Sequence, residues 1–241
     1  MMTYITADTH GQIDFYKLAI FAQENPQLTK DDYMIIAGDF GGVWDKRTLD
    51  EDLAPYEELP FTVLFVDGNH ENFDLLATFP KEEWKGGLVQ KIRTNIIHLL
   101  RGQVYEIDGK TFFTLGGATS IDKYMRTEHL SWWRQEQITD EDMQEAKKNL
   151  AKHNFKVDYI VTHSCDEKAL YLPQMARRPW KKQVYLENAY LSVIEHLASY
   201  GHWYFGHYHM DARLTNRKTA LYQNIIPLDE PIEKQDEIVM P

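Results

Sequence analysis

Cysteine is nearly missing from this chain: Cys165 is the single one among 241 residues. That excludes an internal disulfide and any Cys-x-x-Cys zinc or redox framework, and a cytoplasmic setting is the simplest expectation. Long apolar runs are missing too. The strongest, residues 61–66, falls far short of the ~20 residues needed for a bilayer-spanning helix. Thr3-Tyr4-Ile5-Thr6-Ala7 offers no charged n-region and no long apolar h-region of the kind a secretory signal carries. Neither a membrane-spanning nor a secreted protein is expected. Basic residues are in deficit: 26 Lys+Arg face 37 Asp+Glu, a formal net charge of -11. Such a field repels nucleic acid, anionic lipid and phosphate-bearing metabolites at long range. An anionic substrate therefore needs a local positive site.

With 43% hydrophobic and 26% charged residues, the chain can bury a sizeable core. No Pro/Gly/Ser-rich linker and no internal repeat divides it. Residues 1–226 read as a single domain. Residues 227–241, where Asp229, Glu230, Glu233, Asp236 and Glu237 face Lys234 alone, read as an acidic, solvated C-terminal tail.

Short β-rich runs alternate with segments of helical period, the pattern of an α/β protein. The runs 4–7, 33–37, 62–66, 96–99, 104–107, 111–115, 157–162, 202–205 and 219–226 read as strands. Residues 13–24, 139–153 and 186–200 read as helices, the second opened by Thr139 with Asp142 three residues on, and the third closed by Gly201. Asp108-Gly109 between two strand-like runs predicts a hairpin, so the sheets are expected to be mixed.

Five polar clusters each follow directly on a strand-like run: Asp8 and His10; Gly38-Asp39; Gly68-Asn69-His70-Glu71; His163; and Gly206-His207-Tyr208-His209. In open α/β sheets, ligands bind beyond the carboxyl ends of strands, so clusters 200 residues apart can meet in one pocket. Asp8, His10, Asp39, Asn69, His163, His207 and His209 supply imidazole, carboxylate and amide oxygen. Those ligands suit Mn, Fe, Zn or Ni better than an all-oxygen calcium or magnesium cage. Seven ligands are too many for one open tetrahedral site and suit two ions that share a carboxylate.

The ordered set Asp8-x-His10, Gly38-Asp39-x-x-Gly42, Gly68-Asn69-His70-Glu71, His163 and Gly206-His207-x-His209 resembles the calcineurin-like metallophosphoesterase superfamily, in particular its small bacterial and phage-type members. The resemblance implies an α/β fold, a four-layer αββα sandwich of two mixed β-sheets flanked by helices. It implies one divalent ion on Asp8, His10, Asp39 and His209 and a second on Asp39, Asn69, His163 and His207, with Asp39 bridging and manganese favoured. It places His70 as a non-ligand catalytic histidine at the leaving oxygen. Two ions contribute about +4 against two carboxylates and a hydroxide, leaving about +1 in an acidic protein. The implied activity is hydrolysis of phosphomono- or phosphodiesters by metal-bridged hydroxide attack, foremost as a phosphodiesterase on nucleotide-like or small esters. A phosphomonoesterase, a protein phosphatase or a non-catalytic protein-interaction module on the same fold are the alternatives. Protein phosphatases of the superfamily carry Asp-Arg-Gly after the second motif, where this chain reads Asp39-Phe40-Gly41.

Other motifs carry two readings each. Glu71 orients a neighbour in the site or begins a helix. Gly116-Gly117-Ala118-x-Ser120, followed by Asp122, Lys123 and Arg126, is a tight turn with solvated charges or a substrate loop whose Arg126 binds a phosphate oxygen. Arg177, Arg178, Lys181 and Lys182 surround Trp180 and form a surface loop or a nucleic-acid grip, the latter disfavoured by the net charge. Trp132-Trp133 and Cys165 read as packing residues, and His98, His129, His153, His196 and His202 as hydrogen-bonded core histidines. Asp45 is the suggested partner of His70.

Overall fold

The computed structural model describes residues 1–176 and 183–228, so the Arg177 to Lys182 segment and residues 229–241 of the acidic tail lie outside the described residues. Strands β1 (Thr3–Thr6), β2 (Tyr33–Ala37) and β3 (Thr62–Val66) are apolar on both faces, the signature of strands covered on two sides. Their alternation decides the layering. Ile5, Ile35, Ala37, Leu64 and Val66 point one way, while Met34, Ile36, Val63 and Phe65 point the other.

The first set meets Phe112, Val161 and Tyr204 in a core between two sheets. The second set meets Leu18 of α1 (Tyr16–Glu24), Leu53 and Tyr56 of α2 (Leu49–Glu58), and Leu75 of α3 (Phe73–Leu76). The seven-stranded sheet extends β1, β2 and β3 with β4 (Lys81–Trp84), β5 (Gly87–Arg93), β6 (Ile96–Leu99) and a late strand, β13 (Ile226–Pro227), in the order β13-β1-β2-β3-β6-β5-β4. Strands β1, β2, β3 and β6 run parallel; β5, β4 and β13 are antiparallel to their neighbours.

The six-stranded sheet comprises β7 (Gln103–Ile107), β8 (Lys110–Leu115), β9 (Lys156–Thr162), β10 (Ser199–Phe205), β11 (Ala212–Thr215) and β12 (Lys218–Ala220), ordered β11-β12-β10-β9-β8-β7. Here β8, β9, β10 and β12 are parallel, and β7–β8 is the expected antiparallel hairpin. Its outer face buries Phe113, Ile160, Trp203 and Phe205 against α4 (Asp140–Lys152), α5 (Glu167–Leu170), α6 (Pro173–Ala176) and α7 (Leu186–Leu197). The architecture is thus α/β, with two mixed sheets flanked by helices. Among the described residues, no helix is long and apolar enough to cross a membrane.

Several boundaries differ from the sequence expectation. The helical period breaks at Leu197, and the chain enters β10 at Ser199, which places Gly201 inside a strand rather than at a helix cap. A Cβ there would come 2.7 Å from the Asp158 carbonyl on β9, so the glycine serves strand packing. Residues 13–15 are turn, with Ile13 exposed, and the first helix starts at Tyr16. The run 219–226 is shared between the sheets: it leaves β12 at Ala220 and reaches β1 at Ile226. Three successive amides of that crossing, Tyr222, Gln223 and Asn224, donate to the Asp211 carboxylate. Pro227 and Leu228 still contact β1. Thr139 and Asp142 do form the reciprocal cap that opens α4.

Candidate metal centre

Strands β1, β2 and β3 of one sheet and β9 and β10 of the other bring their carboxyl ends together, and the five polar clusters meet there. Backbone strain marks the spot. Asp8, His10, Asp39, His207 and His209 all hold positive φ, between 46° and 68°, a region that non-glycine residues enter at a cost and chiefly at functional sites. The turns that follow the strands need room as well. Gly38 sits at φ 88°, and a Cβ on it would come 2.0 Å from His163 Nδ1; one on Gly68 would come 2.0 Å from Asp39 Oδ1. No side chain fits at either position with the carboxylate and imidazole where they are.

Asp39 is the hub. It is buried, and its Oδ1 lies 3.2 Å from His163 Nε2 and its Oδ2 3.3 Å from His10 Nε2. Asp8, also buried, lies 3.4 Å from His209 Nε2 and accepts the His207 amide at 3.0 Å. The His207 ring stands 5.0 Å from that of His163. Asn69 places Oδ1 3.2 Å from His163 Nε2. Ligand atoms of Asp8, His10 and His209, of His10, Asp39 and His70, and of Asp8, Asp39 and His163 lie within 4.8 Å of one another in each group.

The outer and inner nitrogens of the imidazoles behave differently. His163 Nδ1 donates to the Ala37 carbonyl at 3.0 Å, and His10 Nδ1 pairs with Asp14 Oδ2 at 2.9 Å. The inner nitrogens stop at 3.2 to 3.4 Å from carboxylates, longer than the ~2.7–2.9 Å of a charge-assisted hydrogen bond. One nitrogen fastened to an acceptor and the other aimed inward is how metal-binding histidines are held, so the donor set fits divalent ions. The charges agree. Burial would push the His163 and His10 imidazoles down, but the Asp39 carboxylate outweighs it and raises them to about 9 and about 8. Burial likewise opposes ionisation of Asp39, yet His163 and His70 hold it well below the usual carboxylate range. The pocket keeps Asp39 ionised and attracts positive charge.

His70 stands apart from the other site histidines. Its amide and Nδ1 donate to the two oxygens of Asp39, at 2.8 and 2.7 Å, while Nε2 faces the cavity, 2.9 Å from Arg126 Nη2. This corrects the suggested Asp45 partner, which pairs instead with Arg47 at the surface. Arg126 is held by Asp122 at 2.9 Å and reaches His70 across a cavity of about 320 Å³. One wall of that cavity carries Asp39, Asn69, His207 and His209, and the rest includes Ile121, Tyr185 and Tyr208.

Glu71 accepts the amides of Phe40 and Gly41, at 2.8 and 3.2 Å, and so fixes the turn just past Asp39. The short helix beyond it starts at Phe73 under an Asn72 cap. Of the five other histidines, His98 and His202 are buried and hydrogen-bonded as expected. His129 and His196 are exposed and His153 is half-buried, which corrects the expectation of core positions. Cys165 is buried, and burial pushes its thiol up. Trp133 is buried, with its indole donating to Asp74.

Sequence reasoning missed Asp67, Arg101, Asp14 and Tyr222. Arg101 donates to Asp67 Oδ2 from Nε at 2.8 Å and Nη2 at 2.5 Å, with His98 3.3 Å from the other oxygen. Burial resists ionisation of Asp67, but Arg101 and His98 hold it far down. The Asp67 carbonyl also accepts the Gly117 amide at 2.9 Å, which ties the end of β3 to the loop after β8. Tyr222 stacks on His209 at 4.7 Å and donates to Asp14. Placement directly beside Gly68 was the one signal that singled out Asp67.

Among curated proteins none matches. Solved structures similar to this chain include a protein of unknown function from Aquifex aeolicus (17% identity, 68% of this chain and 79% of that one, TM-score 0.33). Thermus thermophilus sulfate thiohydrolase SoxB matches at 11% identity over 92% of this chain and 51% of its own, TM-score 0.47. The phosphopantetheinyl hydrolase PptH of Mycobacterium tuberculosis matches at 15% identity over 92% and 89%, TM-score 0.38. Residues 1–220 match the calcineurin-like phosphoesterase family as a whole, from before Asp8 to beyond His209; with the strand-end cluster they span, the chain belongs to that family.

Proposed function

We propose that the protein is a two-metal phosphoesterase, foremost a phosphodiesterase of nucleotide-like or small esters. One ion is assigned to Asp8, His10, Asp39 and His209 and the other to Asp39, Asn69, His163 and His207, with Asp39 shared and manganese favoured. The convergence of these side chains around the buried Asp39 and Asp8 is the observation that carries the proposal. Bound there, divalent ions supply Lewis acidity and a water nucleophile active at neutral pH. The residues of the chain do the rest. His70, its Nδ1 donating to Asp39, turns Nε2 to the cavity, where it accepts from Arg126; once Arg126 turns to a phosphoryl oxygen, Nε2 is free to carry a proton to the leaving oxygen. Arg126 reaches the same point and grips a phosphoryl oxygen. The apolar Ile121, Tyr185 and Tyr208 leave room for an organic ester group, which favours a diester. Net acidity favours small substrates over polyanions, and the proposed setting is cytoplasmic.

Mn²⁺-loaded protein assayed on bis(4-nitrophenyl) phosphate and 4-nitrophenyl phosphate is expected to turn over the diester faster. Arg126→Ala should lower kcat/KM about 10-fold or more, the scale of one charge-assisted contact, with bound metal unchanged. Hydrolysis of neither ester contradicts the proposal, and an unaffected Arg126→Ala removes that residue from it.

A further inference from the structure

The loop after β8 is held by two buried carboxylates in succession. Thr119 donates its amide and hydroxyl to Glu187 of α7, both at 2.9 Å. Ser120 donates its amide to Glu136 Oε1 at 2.8 Å and its hydroxyl to Glu136 Oε2 at 2.6 Å. Both glutamates are almost wholly excluded from solvent. A carboxylate taken out of water is costly unless its oxygens are satisfied, and an apolar replacement usually packs as well. Two on adjacent loop residues therefore ask what the loop must hold still.

Ser120 Oγ also lies 3.3 Å from Asn69 Nδ2. A serine hydroxyl has one proton. With Glu136 Oε2 at 2.6 Å that proton is committed, and Ser120 Oγ is left as an acceptor. The same Asn69 nitrogen stands 3.0 Å from His70 Nδ1, but that ring nitrogen donates to Asp39 and cannot accept, so Ser120 Oγ is the acceptor that the Asn69 amide nitrogen meets. The Asn69 oxygen is thereby turned the other way, to within 3.2 Å of His163 Nε2 in the same cluster as Asp39. An asparagine side chain has nearly the same shape either way round, so only its hydrogen-bond partners decide which atom faces the site.

We propose that Glu136, acting through Ser120, is a positioning residue that fixes the polarity of the Asn69 amide so that its oxygen faces the second ion. The inference rests on the two-metal function proposed above. Neither Glu136 nor Ser120 touches metal or substrate; the pair orients a ligand, as outer partners of metal sites do.

Glu136→Gln tests this with the shape preserved. The Gln oxygen still accepts the Ser120 amide, while its nitrogen donates to Ser120 Oγ and frees the hydroxyl proton to point at Asn69. The polarity of the chain of hydrogen bonds reverses. In calorimetric titrations with Mn²⁺, the wild type is expected to bind two equivalents, and Glu136→Gln should weaken one of them about 10–100-fold. The other equivalent should be unchanged. In a Ser120→Ala background, where the link is cut, Glu136→Gln should add nothing further. Ser120→Ala alone, which deletes one hydroxyl, should weaken the same equivalent by a smaller factor, up to about tenfold, and serves if Glu136→Gln does not fold. Unchanged affinity in either single variant, or an equal loss from Glu136→Gln in both backgrounds, overturns the relay while leaving the two-metal function intact. A wild type that takes up no Mn²⁺ overturns both.

Discussion

Asp39→Asn is expected to abolish turnover, with a loss of at least about 10³-fold and of one or both bound metal ions. Losing an outer partner of a metal ligand costs about 10–100-fold; Asp39 is, in the proposed site, the shared ligand itself, and it is one of two buried carboxylates there. The amide is nearly isosteric, so the change is chemical. It removes the negative charge that His10 and His163 gather around, and it puts an NH2 group in place of one of the two oxygens that His70 donates to, so that donor faces donor. A thermal melt checks that the fold persists, and metal analysis with a diester assay reads the effect. Undiminished turnover contradicts the assignment of Asp39.

His70→Gln separates chemistry from metal binding. Its Nδ1 and backbone amide both donate to Asp39, yet its Nε2 faces Arg126 and the cavity rather than the carboxylates. The backbone contact survives the substitution, and glutamine can restore a side-chain donor to Asp39. The ring nitrogen that would carry a proton to the leaving oxygen is lost. Bound metal is therefore expected to stay at the wild-type level while kcat falls about 10²–10⁴-fold, the range of a general acid. The loss should be smaller for an ester with a good leaving group such as 4-nitrophenolate than for an alkyl ester, because a stable leaving oxygen needs less protonation. Loss of metal in this variant would make His70 a ligand instead.

Much of this site was legible because its physics is local. A strand such as 62–66 must be apolar on both faces to lie between layers, and the residues just past its end must combine small size with polarity, as Gly68-Asn69-His70 do. Repeated five times, that pattern betrays a shared pocket. The supporting groups are different in kind. Asp67 and Arg101 are 34 residues apart, and Ser120 and Glu136 16 apart, and nothing in the spacing of such pairs says which charge meets which loop. The same limit applies to Asp14, which looks like an ordinary surface acid until Tyr222 arrives from the far end of the chain.

Fold boundaries failed where two elements adjoin without punctuation. The helical pattern of 186–200 runs on into β10 because Tyr200 is apolar at the next helical position but is buried as a strand residue. The run 219–226 looks continuous, yet it serves one sheet at Thr219 and the other at Ile226. Helix α2 escaped notice because Pro55 interrupts it and five acids dilute its apolar stripe of Leu53 and Tyr56.

The central claim is that one pocket, built from five strand ends, works through two divalent ions. Titrating metal-depleted protein with Mn²⁺ while following bis(4-nitrophenyl) phosphate hydrolysis tests it most directly. The account predicts a rate that rises to a plateau at about two ions per chain, falls to background with EDTA and returns on adding Mn²⁺. A rate indifferent to EDTA, or no hydrolysis with both ions bound, would contradict it.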